Sequence, residues 1–342
     1  MKAAIAYGDG KLAVEETPVP QPDEYQALAK IEACSTCNST DLKIIDGKLP
    51  FVREYPAVLG HESVGTVVEV GAKVRNFQVG KRYFRPTAAY PGTKLGKIFS
   101  GWGGFAEYGL LTDYHALVED GADPAKLNPY ARLHQEVPEA VSPEDATMMI
   151  TLKEVLDNIQ HFGVRLGKPF AVFGTGAVGC CFLLFAKLLG AYPVVAIARR
   201  EESLARAKRF GADAAVNTSK GDMRDAVLAA TGGGADAVVD CAGSVEFLSK
   251  APALLAPGGR LGVYGVDTSS KVTLDLYSAA GGWSLVLTQQ DETRSQDQLA
   301  GYVRMGVVRL AEFYSHVMGL EEIGKGVALL RSKEAFKVVV RM

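Results

Sequence analysis

The sequence predicts an α/β protein of two domains, an antiparallel β-rich region followed by a doubly wound parallel sheet. Three observations carry this. The chain has 342 residues, enough for two domains of ordinary size. From residue 1 to about 132 it is dense in Val, Gly, Pro and short alternating runs, as in residues 62–71, which reads as antiparallel strands with tight turns. From residue 169 short apolar strands alternate strictly with amphipathic helices, the pattern of a parallel sheet wrapped by helices.

The second region resolves element by element. Residues 170–173 form a buried strand, 178–189 a largely apolar helix and 193–198 the next strand. The segment 201–210 is an amphipathic helix ended by Gly211. Strands are predicted at 214–216, 236–240 and 260–264, separated by helices at 223–230 and 245–255. After about residue 290 the chain turns helical, and 336–341 is a terminal strand able to return to the first domain.

Composition narrows the function. An apolar fraction of 48% and a charged fraction of 22% belong to a folded protein, not a disordered or fibrous one. A formal charge of −2 without a long basic run gives no electrostatic reason to meet nucleic acid or an anionic membrane, so the expected partners are small molecules. No signal peptide or membrane-length apolar segment is found, and a cytoplasmic location is expected. Five cysteines, an odd number, argue against a disulfide framework.

The first strand of the second region runs straight into Gly174-Thr175-Gly176-Ala177-Val178-Gly179, which opens a helix. A glycine run is weak evidence alone and much stronger in this strand–turn–helix setting. Gly174 permits the tight turn, Gly176 lets the backbone approach a pyrophosphate, and Gly179 lets the helix pack close to the strand. Amides at the helix N-terminus then face the phosphates. The second strand ends Ile197-Ala198-Arg199-Arg200 with no acid at its tip, and the two arginines offer forked donors to a 2′-phosphate. NADP(H) is therefore expected, although Glu201 and Glu202 follow closely and remain alternative contacts for a ribose diol. Cys241, Ala242 and Gly265, at the ends of later strands, are expected along the cofactor groove.

Cys37-Asn38-Ser39-Thr40-Asp41, Gly60-His61-Glu62, Gly103-Gly104-Phe105-Ala106-Glu107-Tyr108 and the mid-chain glycine loop together resemble the medium-chain dehydrogenase/reductases, nearest the zinc alcohol, polyol and threonine dehydrogenases. The resemblance covers nearly the whole chain. It implies a GroES-like β-barrel catalytic domain over residues 1–155 with 297–342, a Rossmann domain over 156–296, and an active site in the cleft between them.

The resemblance also implies a catalytic zinc held by a Cys, the His of Gly-His-Glu and a later acid or Cys, with a Ser or Thr beside the Asp relaying the proton. His61 matches the ligand and Thr40 the relay. Cys37 stands four residues before Asp41 where the family's cysteine stands three before, so one extra residue must be absorbed if it is to reach a metal. The position of the family's acid falls near Ile150 or Thr151, neither a carboxylate. Glu62 and Glu154 are the alternative third ligands, and Lys153 suggests a zinc-free site in which an ammonium stabilises the developing alkoxide. The stretch 84–100 lacks the family's four clustered cysteines, so structural zinc is not expected.

Tyr90, Phe99, Trp102 and Tyr108 are candidates to line the substrate site, and the few charges near them favour a neutral substrate: a polyol, cyclitol, sugar or secondary alcohol. The expected function is hydride transfer between NADP(H) and an alcohol or ketone carbon. Alternatives are a zinc-free reductase of a carbonyl or activated double bond, and a non-catalytic NADP(H)-binding sensor. The resemblance implies a dimer or tetramer joined at a sheet edge near Trp283, Leu285, Val286 and Leu287.

Overall fold

A computed structural model describes residues 1–265, 271–288 and 291–342, and the chain divides into two compact units, 1–151 with 297–342 and 152–296. The first opens with β1 (Lys2–Ala6), β2 (Leu12–Glu16), β3 (Gln26–Ser35) and the short helix α1 (Thr40–Ile45). There follow β4 (Ala57–Val58), β5 (Glu62–Val70), β6 (Arg82–Phe84), β7 (Lys94–Leu95), β8 (Ile98–Ser100), β9 (Tyr108–Thr112) and α2 (Tyr114–Glu119). Helix α3 (Pro143–His161) leads into the second unit.

That unit runs β10 (Phe170–Phe173), α4 (Ala177–Leu188), β11 (Val194–Ala198), α5 (Glu201–Arg209), β12 (Ala214–Asn217), α6 (Met223–Thr231), β13 (Ala235–Asp240), α7 (Val245–Lys250), β14 (Leu255–Val263) and β15 (Ser284–Leu287). The chain returns to the first unit through α8 (Gln296–Arg304), β16 (His316–Gly319), α9 (Ile323–Ser332) and β17 (Val338–Arg341).

In the first unit one sheet has the order β2-β1-β4-β8-β7 and another β16-β17-β3-β5-β6, with β9 also pairing β3. Long β3 is the spine, bonded antiparallel to β5, β9 and β17. The terminal strand thus returns to the first unit, as the sequence predicts. One core gathers Ala4, Ile44, Leu59, Phe105, Val338 and Val340 around α1 and α9. The second unit is the expected doubly wound parallel sheet, order β12-β11-β10-β13-β14-β15. Its central strands β11 and β13 are buried throughout, which explains why they read as unbroken apolar runs instead of alternating ones.

Two elements differ from the sequence reading. The helix expected over 245–255 stops at Lys250 and tightens into a 3₁₀ turn over Ala251–Leu254, where Pro252 removes a backbone donor. Strand β14 begins at Leu255 rather than residue 260, because Leu255 pairs Ala235 before Pro257-Gly258-Gly259 bulge out and pairing resumes at Arg260. Among the described residues no helix is long and apolar enough to cross a membrane.

Candidate active site

Two candidate sites can be built from the residues upward, one in each unit. In the second unit β10 delivers the chain to Gly174, whose φ of +88° is the left-handed turn a side chain would strain. A Cβ on Gly179 would stand 1.8 Å from the Gly174 carbonyl oxygen, so only glycine lets α4 start this close to the strand. Over Gly176 the requirement is reversed: a Cβ there would meet nothing within 4 Å. That open space lies at the N-cap of α4, which has no side-chain cap, so its first amides await an acceptor. Thr175 is buried, and its hydroxyl has no hydrogen-bond partner among the described residues. Open room, uncapped amides at Ala177 and Val178 and an unused buried hydroxyl fit a pyrophosphate.

The neighbouring strand ends shape the same turn. Burial raises the Asp240 carboxyl to about 6, against the pull of backbone amides, and it accepts from Ala242 and Ser244 at 2.9 and 3.2 Å. This holds half-buried Cys241 and exposed Ala242 beside the glycine turn, where a Cβ on Gly174 would lie 3.1 Å from that of Ala242. Gly265 packs so tightly here that a Cβ would lie 2.2 Å from the Gly243 nitrogen. At the tip of β11, Arg199 and Arg200 are both exposed, and neither forms an ion pair among the described residues.

In the first unit, Cys37, His61 and Glu62 present ligand atoms that all lie within 4.8 Å of one another. The extra residue before Asp41 is absorbed in a turn closed from both sides: the Cys37 amide donates to Asp41 Oδ2 at 2.8 Å and the Asp41 amide to the Cys37 carbonyl at 3.3 Å. His61 Nδ1 lies 3.5 Å from Asp41 Oδ1, at the outer edge of hydrogen bonding, and neither atom has a closer partner. Two of the three non-glycine residues with positive φ among the described ones touch this histidine. Arg85 (φ 61°) donates through Nη1 to the His61 carbonyl at 2.6 Å, and the Trp102 (φ 73°) ring lies 5.1 Å from the imidazole. Such backbone costs on the order of 1–3 kcal/mol each and persists where surroundings dictate it, as in functional sites.

Glu62 is held from three sides. Its Oε2 takes the Lys337 ammonium at 2.5 Å and the Ser35 hydroxyl, and its Oε1 accepts from Thr151 at 2.9 Å. Thr151 in turn accepts from Lys337 at 3.0 Å. A carboxylate has about four lone-pair sites, so Oε1 retains room for a metal.

Burial works against the charge on every member of this cluster, and the neighbours overcome it. Lys337 first, then the charge of His61, hold Glu62 below the usual carboxylate range. Asp41 and Cys37 hold the imidazolium of His61 well above the usual histidine range, and His61 draws the Cys37 thiol below its ordinary value. A metal ligand needs His61 neutral. In that state the Cys37 thiolate and the Asp41 and Glu62 carboxylates outnumber the Lys337 ammonium and the Arg85 guanidinium, leaving net negative charge for a divalent ion. The donors, their number and this charge fit a catalytic zinc with an open position.

The other expected residues have these surroundings. Lys153 and Glu154 belong to the second unit, where fully buried Lys153 lies 3.5 Å from buried Glu292 and Glu154 accepts from the Tyr264 hydroxyl at 3.2 Å. Thr40 starts α1, partly buried. Of the four aromatic candidates only Trp102 reaches His61. Tyr90 instead shares a buried network, its hydroxyl 2.7 Å from His134 Nε2, Phe99 lies under the Lys94 ammonium, and Tyr108 opens β9. Sequence reasoning missed Asp41, Ser35, Thr151 and Lys337. Asp41 was visible in its motif, and Lys337 as the lone charge entering an apolar terminal strand, whereas nothing in the sequence paired Lys337 with Glu62.

Comparison with known proteins adds the following. Residues 23–119 match the family described as alcohol dehydrogenase GroES-like domain, and residues 177–288 that described as zinc-binding dehydrogenase. An alcohol dehydrogenase of Geobacillus stearothermophilus is 31% identical over 95% of this chain and 96% of its own. The NADP-dependent isopropanol dehydrogenase of Entamoeba histolytica is 26% identical over 100% of this chain and 96% of its own. Among solved structures, alcohol dehydrogenase TADH from Thermus sp. ATN1 superposes with a TM-score of 0.83 at 26% identity, covering 100% of this chain and 99% of that one.

Proposed function

The chain belongs to the medium-chain dehydrogenase/reductase family, and on that footing we propose that it moves a hydride between NADP(H) and the alcohol or ketone carbon of a neutral small molecule, with a zinc ion held by Cys37, His61 and Glu62. The observation that carries this reading is the cluster itself: three ligand types of a catalytic zinc converge, and three protein ligands would leave a fourth position for substrate. Zinc bound there would polarise the substrate oxygen and favour the alkoxide, while the nicotinamide would accept or supply the hydride. Asp41 orients the imidazole through Nδ1 and so leaves the other ring nitrogen for the metal. Thr40, one residue before Asp41, carries the substrate proton outward. Trp102, against the imidazole, supplies an apolar wall suited to an uncharged substrate.

NADP(H) is favoured over NAD(H) by Arg199 and Arg200 at the strand tip, which form no ion pair among the described residues, and one relative is an NADP-dependent isopropanol dehydrogenase. The double variant Arg199→Ala/Arg200→Ala is expected to weaken NADPH binding about 10- to 100-fold, two charge-assisted contacts being lost, with NADH binding nearly unchanged. Titrating both cofactors into both proteins checks this, and equal losses would remove the phosphate role.

The primary test is elemental analysis of the purified protein combined with assays on a panel of alcohols and ketones before and after chelation. About one zinc per chain and chelator-sensitive turnover are expected. Full activity in a zinc-free preparation would overturn the metal assignment.

A further inference from the structure

We infer that Lys220 sets cofactor preference indirectly, by tying down Glu201 so that Arg199 and Arg200 stay open to the 2′-phosphate; this rests on the NADP(H) reading. Glu201 is the first carboxylate after the arginines and opens α5 with Arg200 as its N-cap. Left alone, a carboxylate there would pair with either guanidinium and compete with a phosphate for it. Instead, Glu201 Oε1 takes the Lys220 ammonium and the Asn217 side-chain amide, each at 2.6 Å.

The holding group is itself oriented. Asn217 Oδ1 accepts from the amide of Ser219 at 2.9 Å and from its hydroxyl at 2.7 Å, so its amide nitrogen is the end that faces Glu201. The loop after β12 is fixed beside the arginines by the sheet: Asn217 is the register partner of Ala198, and the Thr218 amide donates to the Ala198 carbonyl at 3.0 Å. These partners keep Glu201 charged, below the usual carboxylate range, with Lys220 the leading cause and Asn217 next. Lys220 and Glu201 are 70% and 65% exposed, where ion pairs add little to stability. Variants of the pair are therefore expected to melt close to wild type.

Glu201 is thus a positioned acid, kept out of the phosphate site, and Lys220 is a positioning residue that need not touch the cofactor. Isothermal titration with NADPH and with NADH, at one salt concentration, on wild type, Lys220→Met, Glu201→Gln and the double variant tests this. Lys220→Met is expected to weaken NADPH about fivefold, the reach of an exposed ion pair, and to leave NADH unchanged. Adding Glu201→Gln to it should restore NADPH to within twofold of wild type, since the competing charge is gone. A double variant as weak as Lys220→Met would show that Lys220 holds the phosphate itself and would overturn the inference, as would an unaltered Lys220→Met. If wild type prefers NADH and the Arg199→Ala/Arg200→Ala variant behaves alike with both cofactors, the NADP(H) reading fails first and takes this inference with it.

Discussion

His61→Ala is expected to yield a folded protein that holds little or no zinc and turns over substrate at least on the order of a thousandfold more slowly. The imidazole is the middle member of the cluster, sharing reach with Cys37 and Glu62 and facing Asp41. Removing it leaves two protein ligands, too few for a catalytic zinc site, so the metal and its polarisation of the substrate oxygen are lost together. A thousandfold loss corresponds to about 4 kcal/mol of transition-state stabilisation, within what a Lewis acid supplies. The checks are zinc content and kcat on the same preparation, with NADPH affinity as the control. Affinity should hold, because the glycine turn and the arginines belong to the other unit. A variant that kept its zinc, or lost it at no cost in rate, would refute the assignment.

The largest expected effect on stability is at Lys337. It is buried, 4% exposed, and neutralises an equally buried Glu62. Lys337→Met keeps most of the side-chain volume and leaves that carboxylate unpaired, a change that costs about 3–5 kcal/mol in buried pairs. For a unit of this size the melting temperature should fall on the order of 10 °C. The fall should be greater after chelation, since bound zinc would offset part of the exposed charge. Lys337→Met/Glu62→Gln removes both charges and should recover most of the loss, because the penalty lies in the orphaned carboxylate and not in missing contacts. Calorimetry of the two variants distinguishes the cases, and a Lys337→Met protein as stable as wild type would contradict the account.

How far each site could be read from sequence follows from how local its determinants are. The glycine turn was fully legible, because Gly174, Gly176 and Gly179 act on their own strand and helix: a tight turn, open space and a 1.8 Å approach all arise within six residues. The inner strands of the parallel sheet were legible for the same reason, β11 and β13 announcing their burial by composition. The metal cluster was half legible. His61 and Glu62 carried their motif, but whether Cys37 could reach them depended on a closed turn that spacing alone does not reveal. Glu62 was legible as a candidate for the family's missing acid, but the contacts that hold it in place were not. Thr151 occupies that acid's position on α3 and supports Glu62 jointly with Ser35 from β3 and Lys337 beside β17, and such convergence of three distant segments is a property of packing.

The division of the chain has a consequence in time. The second unit is one continuous stretch, residues 152–296, so it can assemble during synthesis from contacts already present. The first unit is interrupted, and β3 waits for β17, whose Val340 pairs with Cys34 across roughly three hundred intervening residues. Until that last strand arrives, Glu62 has no ammonium partner and the surrounding core is open to water. The nascent chain is therefore expected to pass through a stage with a finished nucleotide half and an unfinished metal half. In cells short of chaperone capacity, losses should concentrate at that stage, and a mutation in β17 would lower yield well before it touched catalysis.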